Sequence, residues 1–75
     1  MDTQRHVTIR NLGTDPAFEN AVLYYNHIHL WASIGHGDEE VSLYSFEGHV
    51  WTVQDGDTIL KEFTIGSEPS YVFAF

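Results

Sequence analysis

Residues 49–65 read His49-Val50-Trp51-Thr52-Val53-Gln54-Asp55-Gly56-Asp57-Thr58-Ile59-Leu60-Lys61-Glu62-Phe63-Thr64-Ile65. Two runs rich in β-branched and aromatic residues flank Asp55-Gly56, the strongest local signal in the chain. Such runs suit the pleated, half-buried surface of a strand. Asp-Gly suits a type I′ turn, because both central residues of that turn need positive φ. A hairpin with strands over residues 49–54 and 58–65 is therefore the element on which the fold is built.

The same pattern recurs on both sides of it. Residues 6–11 alternate, with Val7 and Ile9 on one face. Residues 21–26 and 28–34 form two more candidate strands, and the turn Gly35-His36-Gly37-Asp38 leads to a fourth over 40–46. Residues 12–20, with Gly13, Asp15 and Pro16, read as a loop. After a turn at 66–69, residues 70–75 make a seventh strand. It is apolar at nearly every position and reads as a buried closing strand rather than an edge offered to a partner. Helical periodicity is poor throughout. Seven short strands at this spacing predict one all-β domain over residues 1–75, a small seven-stranded β-sandwich.

A 75-residue domain has a thin core. With no cysteine, neither a disulfide framework nor a thiolate metal cage can reinforce it. Five phenylalanines, two tryptophans and four tyrosines are what remains for packing. The charge balance is 11 acidic against 3 basic residues, a formal charge of −8. Such a surface repels phosphate backbones and anionic lipids, so neither nucleic acid nor membrane is an expected partner, and basic partners are favoured. No apolar run approaches the roughly 18 residues of a membrane span. Residues 1–5 lack the apolar stretch of a signal peptide, which points to an intracellular protein.

One stretch carries more than a fold. Tyr44-Ser45-Phe46-Glu47-Gly48-His49-Val50-Trp51-Thr52-Val53-Gln54-Asp55 resembles the signature segment of the von Hippel–Lindau tumour suppressor β-domain, in which Ser, an aromatic, a variable residue and Gly-His-x-Trp occur in this order. Val7-Thr8-Ile9-Arg10-Asn11 is similar to that family's first strand, Tyr24-Tyr25-Asn26 to its second, and Trp31-Ala32-Ser33-Ile34 to the stretch that brings an aromatic to its pocket. The resemblance spans residues 7–64. It implies a seven-stranded sandwich that binds an extended peptide carrying 4-hydroxyproline. By motif position, Ser45 and His49 would hydrogen-bond the hydroxyl, Trp51 would form the pocket floor, Trp31 and Tyr24 would be walls, and Phe46 would flank the site. Trp31 and Phe46 stand where the family usually has Tyr, and Tyr24 where it has Trp. The family's helical domain is absent from this chain.

The residue types make chemical sense for such a pocket. A flat indole suits a rigid pyrrolidine ring. A hydroxyl is donor and acceptor, and Ser45 with a neutral His49 can meet both roles. A site with buried polar partners rejects the analogue that would leave them unpaired. The plainer reading makes Trp51 core and His49 a turn-flanking histidine. The pocket also sets a geometric condition: a flat two-residue hairpin at Glu47-Gly48 would put Ser45 on the opposite face from His49 and Trp51. A shared pocket therefore predicts an irregular bend there.

Other constellations are weaker. His27-x-His29 on a strand would point both rings to one side, but no third ligand stands at motif spacing, so no metal is expected. Asp38-Glu39-Glu40 lacks the alternating oxygen ligands of a calcium loop and reads as a solvated turn. A Ser45–His49–Asp55 triad at spacings of four and six would rarely be oriented for catalysis. No enzyme activity and no cofactor are implied. The expected function is a non-catalytic module for a proline- or hydroxyproline-containing peptide. The alternatives are a carbohydrate-binding module, or an interaction subunit that forms a homodimer through the C-terminal strand.

Overall fold

The structure, a computed structural model, describes residues 4–37 and 40–75. Asp38 and Glu39, read above as belonging to an acidic turn, lie outside the described residues, as do Met1 to Thr3. The seven expected strands are present: β1 (Arg5–Arg10), β2 (Val22–Tyr25), β3 (His29–Ser33), β4 (Glu40–Ser45), β5 (Val50–Asp55), β6 (Thr58–Thr64) and β7 (Ser70–Ala74). They form two sheets, β4-β1-β7 and β3-β2-β5-β6. Within the loop between β1 and β2, a short 3-10 turn at Pro16–Phe18 is capped by the Asp15 carboxylate, which accepts from the Ala17 N–H at 2.9 Å.

Alternation decides what faces inward. Val7 and Ile9 of β1 and Leu43 of β4 meet Leu23 of β2 and Trp51 and Val53 of β5 in one buried cluster between the sheets. Phe18, Ala21, Ile34 and Ile65 close its ends. β7 combines the characters of an edge and of a closing strand. It is the outer strand of its sheet, paired parallel with β1, yet its alternate residues Tyr71 and Phe73 pack on the core, as does Phe75 beyond its end. Phe73 stacks on Phe63 of β6 with centroids 4.2 Å apart, and Phe75 lies 4.4 Å from Phe18. The aromatic content therefore stands in for the missing cysteine staples.

The β5–β6 hairpin corrects one expectation. Asp55 pairs with Thr58, so the turn residues are Gly56 and Asp57, not Asp55 and Gly56. Only Gly56 has positive φ, at +59°. That is the φ pattern of a type II′ turn, with glycine at the first central position, rather than type I′. The consecutive positive-φ pair instead lies at Asn26 (54°) and His27 (68°), in the β2–β3 connection. This loop curls over the outer face of the four-stranded sheet. The His27 carbonyl accepts from Gln54 Nε2 at 3.3 Å, and the His27 ring meets the Glu62 carboxylate at 3.3 Å. His27 and His29 consequently diverge, and His29 stacks on Tyr25 instead.

Asn11, which ends the first strand motif, ties the loop region together. Its Nδ2 donates to the Phe18 and Ile34 carbonyls at 3.1 and 2.8 Å, and its Oδ1 accepts from the Gly13 N–H. A buried amide that meets three backbone groups holds three segments in register.

Candidate functional site

The site is built on the corner between β4 and β5. These strands follow one another in sequence but belong to different sheets. The His49 N–H donates to the Phe46 carbonyl at 3.1 Å, closing a turn in which Gly48, at φ +89°, holds the third position. A type II turn needs positive φ there, hence glycine. The corner is fastened to the end of β6: Gly48 N–H donates to the Ile65 carbonyl at 2.7 Å, and Ile65 N–H to the His49 carbonyl at 2.9 Å. The bend that a shared Ser45–His49 site requires is thus present, and it is a change of sheet rather than a distorted hairpin.

The consequence is a contact across the sandwich. Ser45 points inward from one sheet and Trp51 inward from the other, so two residues six apart face each other. Trp51 Nε1–H donates to Ser45 Oγ at 2.9 Å, and Ser45 Oγ lies 3.0 Å from His49 Nδ1. The His49 ring stands between Tyr25 (5.1 Å) and Phe46 (5.4 Å). Trp51 packs against Tyr25 at 5.1 Å and edge-on against Trp31 at 5.0 Å and 87°. These ring pairs have the offset and perpendicular geometries that aromatic quadrupoles favour.

Together Tyr25, Trp31, Tyr44, Phe46, His49 and Trp51 line a half-open cleft of about 230 Å³. It opens between β3 and β4, each an outer strand of its sheet. Trp31 is 53% exposed and Tyr44 64%, so the rim is wet, whereas Trp51 at 2% shows only a sliver at the bottom. A larger hollow of about 360 Å³, lined by Arg10, Asn11, Leu12, Gly13, Gly37 and Glu40, lies elsewhere. There the Arg10 guanidinium is already paired with Glu40 at 3.1 Å, leaving little to recognise an anion.

Of the six residues expected at the site, Trp31, Phe46, His49 and Trp51 line the cleft. Ser45 does not. It is 1% exposed and sits behind the wall, with its hydroxyl engaged by Trp51 and His49. Tyr24 does not either, and this corrects the motif-based assignment. Tyr24 pairs with Thr52, while Tyr25 pairs with Trp51. Directly opposed residues share a face, so Tyr25 is the wall and Tyr24 lies on the outer side of the sheet. Parity counted from the core residue Leu23 selects Tyr25. Tyr44, across from His6 on β1 and 5.4 Å from its ring, is the other residue the motif reading missed.

Against protein-family models, curated proteins and solved structures, the chain finds no match. The likeness noted in the sequence therefore has only this chain's own residues to support it. Among the described residues, no cluster of three or more His, Asp or Glu could hold a metal, and the ion pairs, Arg5–Glu47, Arg10–Glu40 and His27–Glu62, leave His49 aside. The triad geometry is not assembled: Ser45 meets His49, but Asp55 ends β5 beside Thr58, at the opposite end of that strand.

Ser45→Ala tests the buried chain of hydrogen bonds. It strands the Trp51 indole N–H in the interior, which costs about 1–3 kcal/mol. Urea unfolding should show a loss in that range, and an unchanged midpoint would mean that the bond contributes nothing to stability.

Proposed function

We propose that the chain is a non-catalytic binding module that takes an extended proline- or hydroxyproline-containing segment of a peptide or protein into the β3–β4 cleft. The observation that carries this reading is the combination, in one small cleft, of five aromatic side chains and a single imidazole whose orientation is held from behind by Ser45 and Trp51. At about 230 Å³ the cleft is smaller than the ~300–1,000 Å³ typical of drug-sized ligand sites, and so suits one ring-sized side chain. Proline-rich segments dock in aromatic-lined grooves at low entropic cost because their backbone is already extended. β3 and β4 border the cleft and are the outer strands of their sheets, the position at which an extended backbone adds to a sheet. The net charge of −8 favours basic flanking residues. The likeness of Ser45-Phe46-Glu47-Gly48-His49-Val50-Trp51 to the von Hippel–Lindau β-domain supports the same ligand class. A sugar would ask for several polar partners around an aromatic face, and the residues that line this cleft include no carboxylate or amide side chain.

The test is a titration of ¹⁵N-labelled protein with a hydroxyproline peptide and its unmodified proline twin, followed by NMR. Binding should move the signals of Trp31, His49 and the Trp51 indole N–H. Trp31→Ala, at an exposed position, should weaken binding about tenfold or more while the protein stays folded. If neither peptide moves these signals, the reading fails. Equal affinity for both would retain the module and remove hydroxyproline selectivity.

A further inference from the structure

The Trp51–Ser45–His49 chain has a direction. An indole N–H can only donate, so Ser45 Oγ accepts from Trp51 at 2.9 Å. Ser45 Oγ has one other hydrogen-bonding neighbour, His49 Nδ1 at 3.0 Å, and no third among the described residues. If His49 carried its proton on Nδ1, two donors would converge on the same oxygen. The serine proton would then be buried with no acceptor, because Ser45 is almost wholly enclosed. With Nδ1 bare, the serine donates to it and every group in the chain is used once.

We infer that His49 is held as the Nε2–H tautomer and that the cleft recognises its ligand through an acceptor oxygen, with Ser45 a positioning residue that does not touch the ligand. The two nitrogens of an imidazole point apart, so Nε2 is directed away from Ser45. No described residue hydrogen-bonds it, and the ring lines the cleft. Phe46 and Tyr25 hold the ring plane, and turning it over would break the bond to Ser45. At His49 the cleft thus offers a donor and no acceptor. A hydroxyl or carbonyl oxygen satisfies it, and an ammonium does not. The ligand half of this inference rests on the peptide reading above; the tautomer half does not.

Two measurements test the halves separately. In the free protein at mildly alkaline pH, long-range ¹H–¹⁵N correlation spectra should show His49 protonated at Nε2. Protonation at Nδ1 overturns the inference. Ser45→Thr, which keeps the hydroxyl, should preserve that tautomer, and Ser45→Ala should give a mixture. An unchanged spectrum in the alanine variant removes the positioning role. For the ligand, four peptides differing only at one ring are compared: 4-hydroxyproline, 4-oxoproline (an acceptor with no donor), 4-methyleneproline (neither) and proline. The first two should bind within about threefold of each other and the last two about tenfold more weakly, the effect of leaving one donor unpaired. A hydroxyproline peptide about tenfold tighter than the oxo peptide would show that a donor is read, which overturns the inference but not the peptide module. Equal binding of all four does the same. No binding of any of them overturns the peptide reading and the ligand class together.

Discussion

Trp51→Ala is expected to lower the stability of the protein by about 3–5 kcal/mol. That fall is comparable with the roughly 4–11 kcal/mol that holds a domain of 75 residues together, at ~0.05–0.15 kcal/mol per residue. Trp51 is buried at 2% exposure, sits in the core cluster and touches both walls of the cleft, Tyr25 and Trp31. Its indole N–H is also the donor that the Ser45 hydroxyl accepts from, at 2.9 Å. Alanine at this position therefore removes a large ring from a thin core, takes the bottom out of the cleft and releases Ser45. Trp51→Phe separates these contributions. It keeps an aromatic ring while deleting the indole N–H, and is expected to cost about 1–3 kcal/mol, between the loss of a hydrogen bond and partial loss of packing. Far-UV circular dichroism in urea reads both. Trp31, then the sole tryptophan, reports the cleft by its fluorescence. A midpoint shift below about 1 kcal/mol in the alanine variant would mean that Trp51 is not a core residue.

The contrast between what the sequence disclosed and what it concealed follows the range of the interactions. Strand positions were legible because alternation and turn residues are local, and Val7, Ile9 and Leu43 fall inward as the pattern requires. Sheet membership was not. Nothing local in Ser45-Phe46-Glu47-Gly48-His49 says that β4 pairs with β1 and β5 with β2 and β6, although that change of sheet is what brings Ser45 and Trp51 face to face. The choice of Tyr25 over Tyr24 depends on the β2–β5 register, again a long-range property, even though parity from Leu23 would have selected it. The exchange of Asp55-Gly56 for Gly56-Asp57 as the turn pair is a one-residue shift. It is accommodated by the irregularity between Val53 and Gln54, which lets Leu60 pack on the core despite the expected alternation. The burial of Ser45 was hidden for a different reason: a serine in an alternating strand is neutral evidence until its partner across the layer is known.

Gly35→Ala is the second large effect, and it tests the region that supports β3 from below. A Cβ on Gly35 would fall on the carbonyl oxygen of Glu19, with the Glu19 carbonyl carbon at 3.2 Å and Asn20 Cα at 3.4 Å. All three are backbone atoms, so no side chain can rotate out of the way. The same Glu19 oxygen accepts the His36 N–H at 3.0 Å, and Ile34 N–H donates to the Ala21 carbonyl at 2.9 Å. The two segments are further clamped by Asn11, whose Nδ2 reaches both Phe18 and Ile34. An added methyl therefore has to push apart a pair of backbones that three sets of hydrogen bonds hold together, at an expected cost of about 3 kcal/mol or more. The comparison is Gly56→Ala, where the new Cβ meets nothing within 4 Å and only the φ of +59° opposes it; that variant should lose about 1 kcal/mol. Gly35 has no such φ, so a large gap between the two variants assigns the effect to space and not to backbone freedom. Urea midpoints measure the gap, and hydrogen exchange at the Ile34 and His36 amides locates it. If Gly35→Ala proves as mild as Gly56→Ala, with both amides still protected, then the 19–21 and 34–36 segments do not meet as closely as the fold requires.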